Sequence, residues 1–110
     1  MKLIAIETAT GKRYPVNEIS FENTETWIVV QTGKQSYVYE QVGEHYTLHV
    51  STCMFDKHRR EILDVDRLRD RTTEIHKVLW DGYKWIILPY MGFVAVTLTP
   101  ELAATMEVIE

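Results

Sequence analysis

The sequence predicts a β-rich α+β fold. The expected architecture is an antiparallel meander forming a small barrel, roll or sandwich, with one charged central helix over about 56–68 and a short C-terminal helix over about 100–107. Three observations predict it. Turn signals recur about every ten residues through the first half, which is the punctuation of a meander. Asp81-Gly82 stands between two apolar runs, a hairpin signal because the turn favours positive φ. Thr99-Pro100-Glu101 opens a helix: Thr caps, Pro suits the first turn, and Glu faces the positive end of the dipole.

Element by element, Leu3, Ile4 and Ile6 form a first strand ending near Thr8, and Thr10-Gly11-Lys12 turns the chain. Short strands follow at 13–16 and 19–21, then a polar loop at 22–25. The β-branched run 27–31, the tyrosine-rich 37–39 and the segment 46–52 supply the next strands. The character changes at Asp56. Asp56 is a candidate N-cap, and Asp56 with Arg60, Lys57 with Glu61 and Arg60 with Asp64 are spaced as i,i+4 ion pairs. Ile62, Val65 and Leu68 supply a thin apolar stripe.

The stretch 66–80 has two readings. Leu68, Thr72, Ile75 and Leu79 fit a helical period, with Gly82 as its C-terminal cap. The β-branched content of 72–80 favours a strand and a two-residue turn at Asp81-Gly82 instead. That turn pairs Trp80 with Tyr83 and Val78 with Trp85 on one face, and Lys77 with Ile86 and Ile75 with Leu88 on the other. Residues 86–88 and 93–98 are then expected as central strands.

Length and composition bound the function classes. The chain has 110 residues, 45% hydrophobic and 25% charged, which suits a single globular domain over 1–110 and not a disordered chain. A net charge of -4 lacks the basic excess of a dedicated duplex-DNA binder. Cys53 stands alone, so no intrachain disulfide forms. The first residues lack the long apolar core of a signal peptide. The longest uncharged run, 85–100, is 16 residues, interrupted by Pro89 and Gly92. It falls short of the roughly 18–20 residues a membrane helix needs, and is read as two buried strands. A cytoplasmic protein with no membrane partner is the expectation.

Motifs for chemistry are weak. His45, His49 and Cys53 are spaced by four; on a strand such residues lie roughly 13 Å apart, too far to share one ion. They read as a polar strand face. Gly11-Lys12 and Gly33-Lys34 lack the remaining positions of a phosphate-binding P-loop. No G-x-S-x-G, H-E-x-x-H, C-x-x-C or dinucleotide loop is present, so binding is favoured over catalysis, and no catalytic residue, cofactor or metal is assigned. Segment 57–71 carries Lys57, Arg59, Arg60, Arg67, Arg69 and Arg71 interleaved with acids, the pattern of a solvated ion-paired face. Tyr37, Tyr39, Tyr46 and Tyr83 are the aromatics that could stack on bases if a sheet face bound nucleic acid.

The leading expectation is therefore a non-enzymatic protein-interaction module. It would act as an adaptor or inhibitor that binds and occludes a partner protein, by analogy with phage-encoded inhibitors of host enzymes. Its expected contact residues are Trp80, Tyr83 and Trp85 on the hairpin, and Arg59, Arg60 and Arg67 in the basic segment, since Trp, Tyr and Arg dominate interface hot spots. The alternatives are a nucleic-acid or nucleotide-binding module using the basic residues of 57–71, and a small ligand-binding barrel, enzyme or structural assembly subunit. A free edge strand would also allow a homo-oligomer.

Overall fold

β-branched and aromatic residues alternate with polar ones along most of the chain, a pattern that suits half-buried strands. The computed structural model, which describes residues 2–109, accordingly holds eleven strands and one helical turn. In chain order these are β1 (Leu3–Glu7), β2 (Arg13–Glu22), β3 (Glu25–Gln31), β4 (Tyr37–Gln41), β5 (Tyr46–Phe55), β6 (Glu61–Leu63), β7 (Arg67–Arg69), β8 (Ile75–Trp80), β9 (Trp85–Pro89), β10 (Val96–Thr97), α1 (Pro100–Ala103) and β11 (Glu107–Ile109). All strand pairings between them are antiparallel. The strand orders are open, so neither sheet closes into a barrel. Among the described residues no helix is long and apolar enough to cross a membrane.

The chain divides into two compact units, Met1–Val50 and Ser51–Glu110. In the first, the strands run β4-β3-β2-β1, and residues 46–50 of β5 pair with the other edge of β1. The two short strands expected at 13–16 and 19–21 are one strand carrying a bulge between Val16 and Glu18. Val16, Val30 and Val38 stand opposite one another. They pack with Ala5, Ile28 and Tyr46 as the core of this unit.

In the second unit the order is β10-β9-β8-β7-β11. Register assigns the faces, because residues directly opposite in an antiparallel pair share one. Val108 faces Leu68, Leu68 faces His76, and Val78 faces Ile87. With Ile62, Leu98, Ala103 and Met106, the apolar members of these rows form a buried cluster.

The charged helix over 56–68 does not form; a turn, β6 and β7 replace it. The reason is local competition: Asp56, Asp66 and Asp70 spend their carboxylates on nearby backbone N–H groups, which holds the chain in turns. Arg59 has φ +62, which stops any helix at that point. Lys57 pairs with Glu107 at 3.3 Å, not along a helix with Glu61.

The C-terminal helix over 100–107 shrinks to the single turn of α1. Thr99 Oγ1 caps it as expected, accepting from Leu102 N at 3.1 Å. The β-branched pair Val108 and Ile109 then joins β11, where it pairs with β7. The strand expected over 93–98 is reduced to β10 at the sheet edge, and residues 93–95 lie outside any strand. Pro89 and Gly92 break the extended run that an uncharged sequence suggests.

The hairpin reading of 72–88 is the one the backbone adopts, with a shifted register. Trp80 faces Trp85 and Val78 faces Ile87, so Gly82-Tyr83 forms the tip. Asp81 Oδ1 accepts from Tyr83 N and Lys84 N, both at 2.8 Å, and Gly82 takes φ +102. The partner strand slides by two residues, so Tyr83 moves from its expected place opposite Trp80 into the turn, while the side chains of β8 and β9 keep the faces expected for them.

Candidate interaction surface

The second unit carries an apolar loop whose large side chains stay mostly exposed. Phe93 is 100% exposed and Met91 93%, with Tyr90, Val94 and Val96 exposed beside them. The loop is held at its base: Tyr90 N donates to Ile75 O at 3.1 Å, and Gly92 N donates to Pro89 O at 3.2 Å. A Cβ added at Gly92 would come within 3.1 Å of the Pro89 ring, so the return is tight and a larger residue would press on that ring. Burying a large apolar side chain is worth about 1.5–3 kcal/mol. Among the described residues Phe93 gains none of that and Met91 little.

The face of this sheet opposite the core has its own pattern. Ile109, Arg67, Lys77 and Leu88 stand opposite one another in one row. Glu107, Arg69 and Ile75 form a second, and Leu79, Ile86 and Thr97 a third. Arg67, Arg69 and Lys77 are exposed, while the aliphatic residues are half-buried. Glu107 is engaged by Lys57 at 3.3 Å and His58 at 3.9 Å. Among the described residues, Arg67, Arg69 and Lys77 have no ion-pair partner. The outer face is thus a cationic row laid among aliphatic side chains.

Loop and face meet at a hollow of about 380 Å³. Its walls, largely apolar, come from Arg67, Thr73, Glu74, Ile75, Tyr90 and Met91. The hollow is open and shallow, suited to a side chain more than to a whole small molecule.

Of the expected contact residues, Arg67 lines this hollow. Trp80 and Trp85 make a tilted ring pair at 5.1 Å on the core face, where Trp85 packs against the buried cluster and Trp80 stays exposed. Tyr83 sits in the hairpin turn and is 92% exposed. It and the 90–95 loop lie at opposite ends of β9, about 17 Å apart by strand rise. Arg60 Nε lies 3.9 Å from buried Asp56, and exposed Arg59 occupies the same turn. Neither lines the hollow. The residues missed by sequence reasoning are Tyr90, Met91, Phe93 and Val94. Their signal was present in Pro89 and Gly92, which interrupt an apolar run that otherwise looks buried.

A cluster of potential ligands also lies in this unit. Oxygen and nitrogen atoms of Asp70, Glu74 and His76 come within 4.8 Å of one another. The Asp70 carboxylate is already filled: Thr72 N, Thr72 Oγ1 and Glu74 N donate to Oδ1, and His76 Nε2 lies 2.8 Å from Oδ2. The His76 contact first, then the Thr72 hydroxyl, hold this carboxyl at about 2, below its ordinary 3.8. The arrangement locks the turn between β7 and β8. A cation would have to displace these donors.

In the first unit, Trp27 and Tyr39 stack at 5.0 Å, but carboxylates surround them. Glu25 accepts from Trp27 Nε1 at 3.1 Å, and Glu22 accepts from Tyr39 OH at 3.4 Å. That charge opposes a phosphate backbone. Tyr46 is buried in the core and cannot stack on a base. His49 Nε2 shares a hydrogen bond with Thr47 Oγ1 at 2.7 Å, and Cys53 sits exposed at a bulge with φ +58. No family model matches the chain, and no curated protein is similar to it in sequence.

Proposed function

We propose that the chain is a non-enzymatic protein-interaction module, an adaptor or inhibitor that works by covering a surface of its partner, and that the 90–95 loop is its principal contact. The observation that carries this reading is the exposure of Phe93 and Met91 together on one tight loop. Contiguous exposed apolar groups of this kind mark interaction sites on soluble domains. An aromatic side chain supplies rigid contact area at an interface, and methionine adapts to irregular surfaces. Tyr83 and Trp80, exposed at the other end of the hairpin, extend the available surface.

The unpaired cations Arg67, Arg69 and Lys77 favour a second reading, in which the partner is a nucleic acid. Aliphatic side chains flank these cations within the sheet rows, and Tyr90 beside Arg67 belongs to the apolar wall of the hollow, so the protein reading is preferred.

The test is affinity capture from a native lysate using the wild type and an M91D/F93D variant, with and without nuclease. The proposal expects one stoichiometric protein that survives nuclease and is lost with the variant. Equal capture by the variant contradicts it. Loss of the partner on nuclease treatment supports the nucleic-acid reading instead.

A further inference from the structure

We infer that the partner presents an acidic segment carrying one bulky apolar side chain, which seats in the hollow beside Arg67 while its carboxylates meet Arg67, Arg69 and Lys77. This inference rests on the protein-interaction reading above and specifies its ligand.

Arg67 stands directly opposite Lys77 in the β7 and β8 pairing. Opposite residues of this kind hold their Cβ atoms about 4.5–5.5 Å apart, and like charges there disfavour the fold. Arg69 follows two residues along β7 on the same face, opposite Ile75 and Glu107. Glu107 is turned to Lys57 and His58, so it leaves this repulsion in place. The whole chain is acidic at -4, yet its described carboxylates do not pair with this row. An external anion relieves the repulsion.

The surroundings of the cations select the kind of anion. Ile109 and Leu88 flank Arg67 and Lys77 in their row, and Ile75 lies between Arg69 and the loop. The hollow next to Arg67 has Ile75, Tyr90 and Met91 as its apolar wall. A phosphate backbone has no apolar group to offer that wall. A peptide with acidic residues around a leucine or phenylalanine satisfies both parts at once. Glu74 stands at the same rim, so the anchor should enter on that side and the carboxylates should lie toward Lys77 and Arg69.

The experiment pans a random dodecapeptide display library against the full chain and against three variants, M91D/F93D, R67E/K77E and the milder R67Q/K77Q. Circular dichroism checks that each variant is folded. The inference expects enriched peptides with an excess of Asp and Glu around one bulky apolar residue. It expects their binding to fall at least tenfold with R67Q/K77Q, and R67E/K77E to select basic peptides instead. Neutral or basic peptides from the wild type, no enrichment, or acidic peptides bound equally by R67Q/K77Q would overturn it. Peptides that depend on Met91 and Phe93 but ignore Arg67 and Lys77 would overturn the charge assignment alone. Indifference to both sets would remove the loop reading as well. An oligothymidylate that competes fully with the selected peptides would replace the acidic peptide with nucleic acid.

Discussion

Asp56 shows how a residue's chemistry can be legible while its element is not. From sequence it reads as a helix cap, a side chain that accepts from backbone N–H groups. It does accept them: His58 N at 2.9 Å and Arg60 N at 2.8 Å reach Oδ1, and Val108 N at 3.0 Å reaches Oδ2. No helix follows, because Arg59 takes φ +62, and the third donor comes from β11, 52 residues away. Burial pushes the Asp56 carboxyl up, but these three donors, with Arg60 nearby, outweigh it and hold the carboxyl below its ordinary value. Asp56→Ala leaves three backbone donors without their acceptor, that of Val108 in a buried position, and should cost about 1–3 kcal/mol, read from urea unfolding.

Asp70 gives the pH dependence its sign. Its folded value of about 2 lies below the ordinary 3.8, so the unfolded state takes up the proton first as pH falls. The stability that Asp70 contributes is complete above about pH 4 and is lost as pH drops toward about 2. Asp56 shifts in the same direction and adds to the loss. Urea midpoints measured across this range should show the wild type and D70N converging at the acid end. A constant gap between them would contradict the assignment.

At the scale of elements, the strands were largely legible and their ends were not. β-branched and aromatic content between turn signals placed β3, β4, β5 and the β8 and β9 hairpin. The face of each hairpin residue was also legible, since the turn moved by one position and the partner strand by two. What failed was the reading of uncharged sequence as buried sequence. Residues 93–95 are apolar, but Pro89 and the tight return at Gly92 direct them away from the sheet. This difference predicts a contrast in stability. Phe93→Asp should change unfolding free energy by less than about 0.5 kcal/mol, as a fully exposed substitution does. Ile87→Ala, in the buried row, should cost about 2–4 kcal/mol. Gly82→Ala meets no steric obstacle, so its expected cost of about 1 kcal/mol is that of holding φ at +102.

The molecule as a whole has two cores, one in each compact unit, and its exposed apolar loop belongs to the second. Net charge and composition spoke to solubility and to the absence of a basic excess, not to the contact surface. Arg67 was the expected site residue that the hollow retained, because its place on β7 turns it away from the core. Arg59 and Arg60 were not brought to it, because Asp56 draws their segment into a turn. The exposed loop should make the native chain bind 8-anilinonaphthalene-1-sulfonate, and M91D/F93D should remove most of that fluorescence. Unchanged fluorescence in a folded variant would place the accessible apolar surface elsewhere.

The most direct test of the central claim is amide hydrogen exchange on the full chain, free and bound to the protein it captures. Slowed exchange is expected in the complex at residues 89–96 and at the neighbouring residues 67–77, with residues 37–41 unchanged. Protection confined to 37–41, with 89–96 exchanging as in the free chain, would contradict it.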